Sequence, residues 1–300
     1  MLFGDYSLTI VVLMAIWVVV TLGLNIITGY AGQFNLGVGI YMGTGAYTTA
    51  MLTTEAGWSF WAALPAALVT STLMGLLTGL PALRVREDFL ATLTIGMVFV
   101  FESLLIYLPW FGGPLGIGKI PPPRLLDAPV GKTGYLALVL ITVAAAVLFT
   151  RLLNRSWLGL AWESIREDEL ATDVIGIRPP RFKLYAFAIG AAYAGLGGVL
   201  YAHFIRYVTP YDFGFVPSIY VLAMAVFGGL GTIRGAVFGA AFLTAMPELF
   251  RFVQEYRNFI YGGLLVLMML YQPQGLLGQG SLLWRAVRRR SARGLAAPAP

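Results

Sequence analysis

The chain has 300 residues, of which 58% are apolar and only 11% charged, with a formal net charge of +6. Ordinary soluble domains run at about 45–50% apolar and about 25% charged, so no water-soluble fold hides this much hydrocarbon, and lipid must be the solvent for most of the chain. The absence of cysteine excludes a disulfide framework, a thiolate metal site and a cysteine nucleophile.

Apolar runs separated by loop signals predict spans at Leu8–Thr28, Val38–Thr54, Phe60–Leu83, Phe89–Phe111 and Tyr135–Leu153. Four more follow at Leu184–Phe204, Phe215–Gly229, Gly235–Phe250 and Phe259–Tyr271, the runs at Phe215 and Phe259 being short enough for half-helices. The first run follows Gly4 and Asp5 instead of a basic stretch, and no small-residue cleavage site comes after it, so it reads as a retained span. The 36 Gly and 16 Pro are tolerated because small residues let membrane helices approach closely and neighbours satisfy freed carbonyls. The expected fold is an all-α polytopic bundle of about eight to ten spans with broken or re-entrant segments.

Orientation is read from Lys and Arg, which cytoplasmic loops retain. Three clusters stand out: Arg84 with Arg86; Arg151, Arg155, Arg166, Arg178, Arg181 and Lys183; and Arg285, Arg288, Arg289, Arg290 and Arg293. With nine spans all three fall on one side, which puts the N-terminus outside and the C-terminus inside. Lys119, Arg124 and Lys132 form a smaller outer group. The basic balance is therefore topological and does not signal nucleic-acid binding. Residues 1–280 form the transmembrane domain, with a polar segment at 154–183 outside the membrane, and 281–300 form a basic Ala/Pro tail suited to disorder or to anionic headgroups of membrane lipid.

Several constellations carry chemistry. Gly29-Tyr-Ala-Gly32-Gln33-Phe-Asn35-Leu-Gly37 breaks two apolar runs with glycines and amides, either as backbone broken at membrane depth or as an ordinary cytoplasmic turn. A second cluster, Gly228-Gly229-Leu-Gly231, echoes its Gly-x-x-Gly, and paired breaks point to a transport path. Glu102 falls near the middle of its run and must face the bundle or a cavity. His203, the only histidine, reads as an interfacial residue beside Arg206 and Tyr207. Gly113-Pro-Leu-Gly-Ile-Gly118-Lys119-Ile120 nearly spells a phosphate loop, but Ile120 replaces the Ser/Thr and Pro121-Pro-Pro123 follows, so it is a decoy. No catalytic triad, metal-ligand set or cofactor site is expected. In the polar segment Trp157, Ala161, Ile165 and Leu170 recur at roughly helical spacing beside an acidic patch of Glu167, Asp168 and Glu169, which suits a partner helix or a surface amphipathic helix.

Taken jointly, these residues resemble the membrane permease subunits of ATP-binding-cassette importers for branched-chain amino acids, of the second permease type. The resemblance is carried by Gly23-Leu-Asn-Ile-Ile-Thr-Gly-Tyr-Ala-Gly-Gln33 with Gly45-Ala-Tyr47, Pro81-Ala-Leu-Arg84, Gly112-Gly-Pro-Leu-Gly-Ile117 and Gly159-Leu-Ala-Trp-Glu-Ser-Ile-Arg166-Glu-Asp-Glu169 with Gly176. Gly228-Gly-Leu-Gly231, Pro247-Glu248 and Pro273-Gln-Gly-Leu276 complete it. Asn35 stands where the family usually has Ser, and Phe99 and Glu102 where it usually has Glu and Arg.

The resemblance implies a non-enzymatic chain that forms half of a path in the inner membrane of a prokaryote. Its partners would be a sister permease subunit, cytoplasmic ATPase subunits that hydrolyse ATP separately, and an extracytoplasmic substrate-binding protein that delivers an amino acid. The segment holding Trp157, Gly159, Ala161, Ile165, Arg166, Glu167, Asp168, Glu169 and Gly176 would dock on the ATPase. Gly29, Gly32, Gln33, Asn35, Glu102, Gly228, Gly229 and Gly231 would line or hinge the path. The rival reading is a self-sufficient channel or ion-coupled carrier for a small solute such as urea or an amide, which would need more intramembrane carboxylates than Glu102.

Overall fold

The computed structural model describes residues 5–85, 87–125, 128–249, 262–263, 266 and 275–278. Among them run ten α-helices: α1 Asp5–Leu24, α2 Val38–Thr54, α3 Phe60–Ala82, α4 Glu87–Tyr107, α5 Lys132–Arg155, α6 Trp157–Glu167, α7 Glu169–Val174, α8 Pro179–Ile205, α9 Phe215–Gly228 and α10 Ile233–Leu249. Eight of the nine predicted spans coincide with α1–α5 and α8–α10, and the ninth, Phe259–Tyr271, lies almost wholly outside the described residues. Among the described residues six helical stretches are long and apolar enough to cross a membrane: Tyr6–Tyr30, Phe60–Ala82, Phe89–Tyr107, Lys132–Arg155, Pro179–Ile205 and Pro210–Gly228. Helices α2 and α10 have 17 residues each, which at 1.5 Å per residue gives about 26 Å, just short of a hydrocarbon core of about 30 Å.

Helix α8 is the axis of the bundle, packing along α1, α2 and α3. Glycine makes this possible. A Cβ on Gly198 of α8 would strike the Met42 carbonyl of α2, and one on Gly45 of α2 would strike the backbone of Gly195. Gly23 of α1 lies equally close to Gly190. Backbones in contact gain dispersion energy that lipid cannot supply more cheaply, which is how helices associate where no hydrophobic force drives them together. Outward faces carry the opposite pattern: Val69, Leu73, Leu77 and Leu80 of α3 and Leu148 and Leu152 of α5 are exposed. Such a surface suits lipid.

At one end of the bundle, chain segments after α4 and after α8 cap the helices. Ile117 and Gly118 pair antiparallel with Val208 and Tyr207. Thr209 and Asp212 form a reciprocal cap for the 3₁₀ turn Pro210–Phe213 that leads into α9. His203 belongs to this end, near the boundary where the sequence puts it, and its ring is buried. It is 2% exposed, its Nε2 lies 2.9 Å from Thr49 Oγ1 and its Nδ1 2.8 Å from the Pro121 carbonyl, so it ties α8 to α2 and to the capping loop. An apolar T-shaped contact with Phe60 completes its burial. Sequence proximity to Arg206 suggested the interface, and packing drew the ring inward. The decoy phosphate loop is part of the same cap: its first turn, Gly113–Leu115, is 3₁₀ and is followed by the short pairing strand.

Candidate functional site

At the opposite end, helix α1 does not stop cleanly. It widens into a π-helical turn, Asn25–Tyr30, in which Ala31 N–H reaches back to the Ile26 carbonyl. Such turns free backbone groups and often mark working positions. Here a side chain of the turn, Asn25, and one of its carbonyls, that of Gly29, find distant partners. Asn25, fully buried, accepts from Gly231 N–H at 2.8 Å through Oδ1 and donates to the Thr232 carbonyl at 3.2 Å through Nδ2. Gly29 lies so close to Asn25 and Gly231 that a Cβ there would collide with both. The two glycine breaks seen in the sequence, 206 residues apart between Asn25 and Gly231, are thus one structure.

The second break is braced from behind. Gly229 and Gly231 have φ of 118° and 75°, left-handed values open mainly to glycine. Leu276 and Leu277 N–H groups donate to the carbonyls of Phe227 and Gly228 at 3.0 and 2.9 Å. A Cβ on Gly228 would strike the Gly235 carbonyl of α10, so α9 and α10 meet there backbone to backbone.

Arg166 completes the junction. Its Nη1 donates to the Gly29 carbonyl at 2.8 Å, its stem lies over Gly32, which has a φ of 71°, and the guanidinium covers Gly231. Arg166 comes from α6, whose inward face of Ala161, Trp162 and Ile165 is buried in one apolar cluster with Ile26 and Ala31 at the π turn and Phe182 and Ala186 of α8. Trp162 is fully buried, and its indole N–H donates to the Phe182 carbonyl at 2.8 Å. Helix α7 is folded back on α6 by Ser164 and Thr172, whose hydroxyls lie 2.7 Å apart, and on α8 by a 2.6 Å ion pair of Lys183 with Glu169. Asp168 caps α7 by accepting from Ala171 N–H.

The segment therefore has two faces. Trp157, Leu160, Glu163 and Glu167 point outward, while Ala161 and Ile165 point into the bundle. The sequence spacing grouped Trp157, Ala161, Ile165 and Leu170 on one face. The structure separates them: Trp157 opens α6 64% exposed with its ring edge-on to Phe182, Ala161 and Ile165 are buried, and Leu170 lies beyond the interruption at Asp168, 81% exposed. The acidic patch divides likewise: Glu169 and Asp168 serve the local fold, and Glu167 is exposed without a hydrogen-bond partner among the described residues. Gly176 closes α7 with a φ of 91°, and Gly159 sits against the Asn154 backbone, turning α5 into α6. Sequence reasoning passed over Leu160, Glu163 and Asn25. The first two share a helical face with Trp157 and Glu167, a periodicity that was available to be read.

Gln33 and Asn35 are brought to the same end of the bundle. Both are buried, 2% and 0% exposed, in an irregular stretch between the π turn and α2. Asn35 accepts from Gly37 N–H and donates to the Tyr41 hydroxyl, which meets Thr78, and Leu36 N–H donates to the Thr94 hydroxyl. The break is not a solvated turn: protein groups take up the N–H of Ala31, Gln33, Leu36 and Gly37 and the carbonyls of Gly29, Ala31 and Gln33. Glu102 is not part of this cluster. It lies against Gly214 at the start of α9, towards the capped end. A cavity of about 600 Å³ opens between α2, α3 and α4, lined by Thr44, Tyr47, Met74, Leu77, Phe101 and Leu105 among others; none of the predicted path residues lines it. No group of His, Asp and Glu among the described residues could hold a metal ion.

An all-α bundle of membrane-length helices, broken at two linked points beneath a short amphipathic appendage, has the architecture of a membrane transport subunit. The sequence pattern of the family described as branched-chain amino acid transport system / permease component matches residues 6–269, and the chain belongs to that family. It is 38% identical to the high-affinity branched-chain amino acid transport system permease protein LivM of Salmonella typhimurium, over 90% of this chain and 70% of that protein. The LivM protein of Escherichia coli K12 matches equally well, and the autoinducer 2 import system permease protein LsrC of Escherichia coli is 27% identical over 80% of this chain and 71% of its own length. No solved structure matches the chain. The protein is thus a multi-pass permease component of a transport system and not an enzyme.

Proposed function

We propose that the chain forms one half of the path of an ATP-driven importer for branched-chain amino acids, in the inner membrane of a prokaryote. A sister permease subunit would supply the other half, a binding protein outside would deliver the amino acid, and ATPase subunits inside would grip the 154–183 segment. The observation that carries this reading is the placement of α6 on the paired backbone breaks, with Trp157, Leu160, Glu163 and Glu167 left facing outward. A helix whose inner face is sealed against the bundle and whose outer face mixes large apolar and acidic side chains suits a basic, grooved protein partner.

Arg84, Arg151, Arg155, Arg166, Arg178 and Arg181 all belong to helix ends or connections at that same end, which supports its being cytoplasmic and the N-terminus being outside. Trp58, Trp61, Tyr107, Trp110 and Tyr211 are exposed at the other end, as expected of an aromatic belt near a membrane surface. Family membership speaks against a self-sufficient channel or ion-coupled carrier. Alternating access would follow from ATPase closure shifting α6, and with it the two breaks beneath.

The test is uptake of labelled leucine by vesicles holding the reconstituted complex, native against Glu163→Lys/Glu167→Lys. Uptake that requires ATP, and is lost in the double variant although the chain still inserts, supports the reading. Uptake without ATP would defeat it. Glu169 is left intact because its ion pair with Lys183 would confound docking with folding.

A further inference from the structure

We propose that Arg166 is the positioning residue that couples the docking helix to both backbone breaks, making α6, the π turn and the Gly228–Gly231 turn a single moving unit; this deepens the importer reading and rests on it. Three observations converge. Arg166 holds the Gly29 carbonyl at 2.8 Å while its guanidinium lies over Gly231. Asn25 independently ties Gly231 and Thr232 to the π turn from the buried side. Gly29, Gly231 and Gly32 are stripped of side chains where these groups close in, so that Cβ atoms at the first two would strike Asn25, Gly231, Arg166 or Gly29.

The chemistry favours Arg at this place. A carbonyl released at the end of a π turn has no N–H partner of its own helix, and a planar guanidinium can donate to it while its stem covers Gly32. A lysine ammonium is a point donor on a flexible stem and fixes no orientation. Displacing α6 therefore pulls on the Gly29 carbonyl, and the Asn25 bridge passes that displacement to the turn between α9 and α10. Without Arg166 the apolar contacts of Ala161, Trp162 and Ile165 still hold α6 to the bundle, but the directional donation to the Gly29 carbonyl is lost.

Two measurements on the whole reconstituted complex test this. The first compares native chain, Arg166→Met and Arg166→Lys for leucine moved per ATP hydrolysed. Arg166→Met keeps the assembled complex and its ATP hydrolysis, while leucine moved per ATP falls about tenfold, with Arg166→Lys between the two. A purely structural Arg would make uptake and hydrolysis fall together, and unchanged leucine per ATP would equally overturn the proposal. The second needs no Arg166 variant. The chain lacks cysteine, so spin labels on Asp173→Cys of α7, which Ser164 and Thr172 fold onto α6, and on Arg234→Cys, both exposed and neither on the docking face, report the distance between the α6–α7 unit and the second break. That distance stays the same with and without a non-hydrolysable ATP analogue if the junction moves as one, and a change in it overturns the proposal even should Arg166→Met fail to assemble. Because the label distance needs no cargo, a native complex that moves no leucine would defeat the cargo assignment and leave the junction test standing.

Discussion

At the scale of single residues, the end of the bundle beneath α6 is held by a few polar side chains with long-range partners. Trp162→Phe keeps most of the buried ring and loses one hydrogen bond to the Phe182 carbonyl, so it should cost about 1 kcal/mol. Trp162→Ala should cost about 3–5 kcal/mol through the cavity it leaves. Thermal unfolding of the purified chain in detergent separates the two. Glu169→Gln leaves the 8%-exposed Lys183 ammonium without its carboxylate. Its cost should be about 1–2 kcal/mol, below the roughly 3–5 kcal/mol of a fully buried pair because Glu169 is 40% exposed. Glu167→Gln, with no such partner, should shift stability by less than about 0.5 kcal/mol. A larger loss at Glu167 than at Glu169 would contradict the division of the acidic patch.

At the scale of elements, α6 is amphipathic in a particular sense: one face is sealed against the π turn, α5 and α8, and the other is left outward. Leu160→Asp, on the 63%-exposed Leu160, should leave the unfolding temperature unchanged and reduce capture of the cognate ATPase by tenfold or more, about 1.4 kcal/mol, in a copurification assay. Ala161→Asp on the 2%-exposed inward face should destabilise the chain itself. Were both changes to act only on capture, α6 would not be seated as described. The existence and approximate bounds of α1–α5 and α8–α10 were legible in the apolar runs, since a helix in lipid must satisfy its own backbone over a fixed length. The face of α6 that packs was less legible. The acidic residues and Trp157 drew attention to the segment, but its break at Asp168 depends on Ser164 meeting Thr172 and Lys183 meeting Glu169 in space.

At the scale of the whole molecule, stability rests on α8 lying against three helices at backbone distance. Gly198→Val and Gly45→Val should each displace α8 from α2, overpacking by about 1–3 kcal/mol or more, and lower the yield of folded chain in detergent. Gly96→Val, at a glycine of α4 with nothing within 4 Å of its Cβ position, is the matched control and should be nearly neutral. The sequence by itself determined the solvent, the helical class, the positions of most spans and a family resemblance that the comparisons bear out, because each rests on composition or on local spacing. It also singled out Gly29, Gly231 and Arg166. Only the tertiary structure made them neighbours, drew His203 inside and set Glu102 apart at the other end. Those outcomes depend on which backbones can touch and which freed carbonyls find donors across more than a hundred residues of chain, and one sequence holds no periodicity that records such distant pairings.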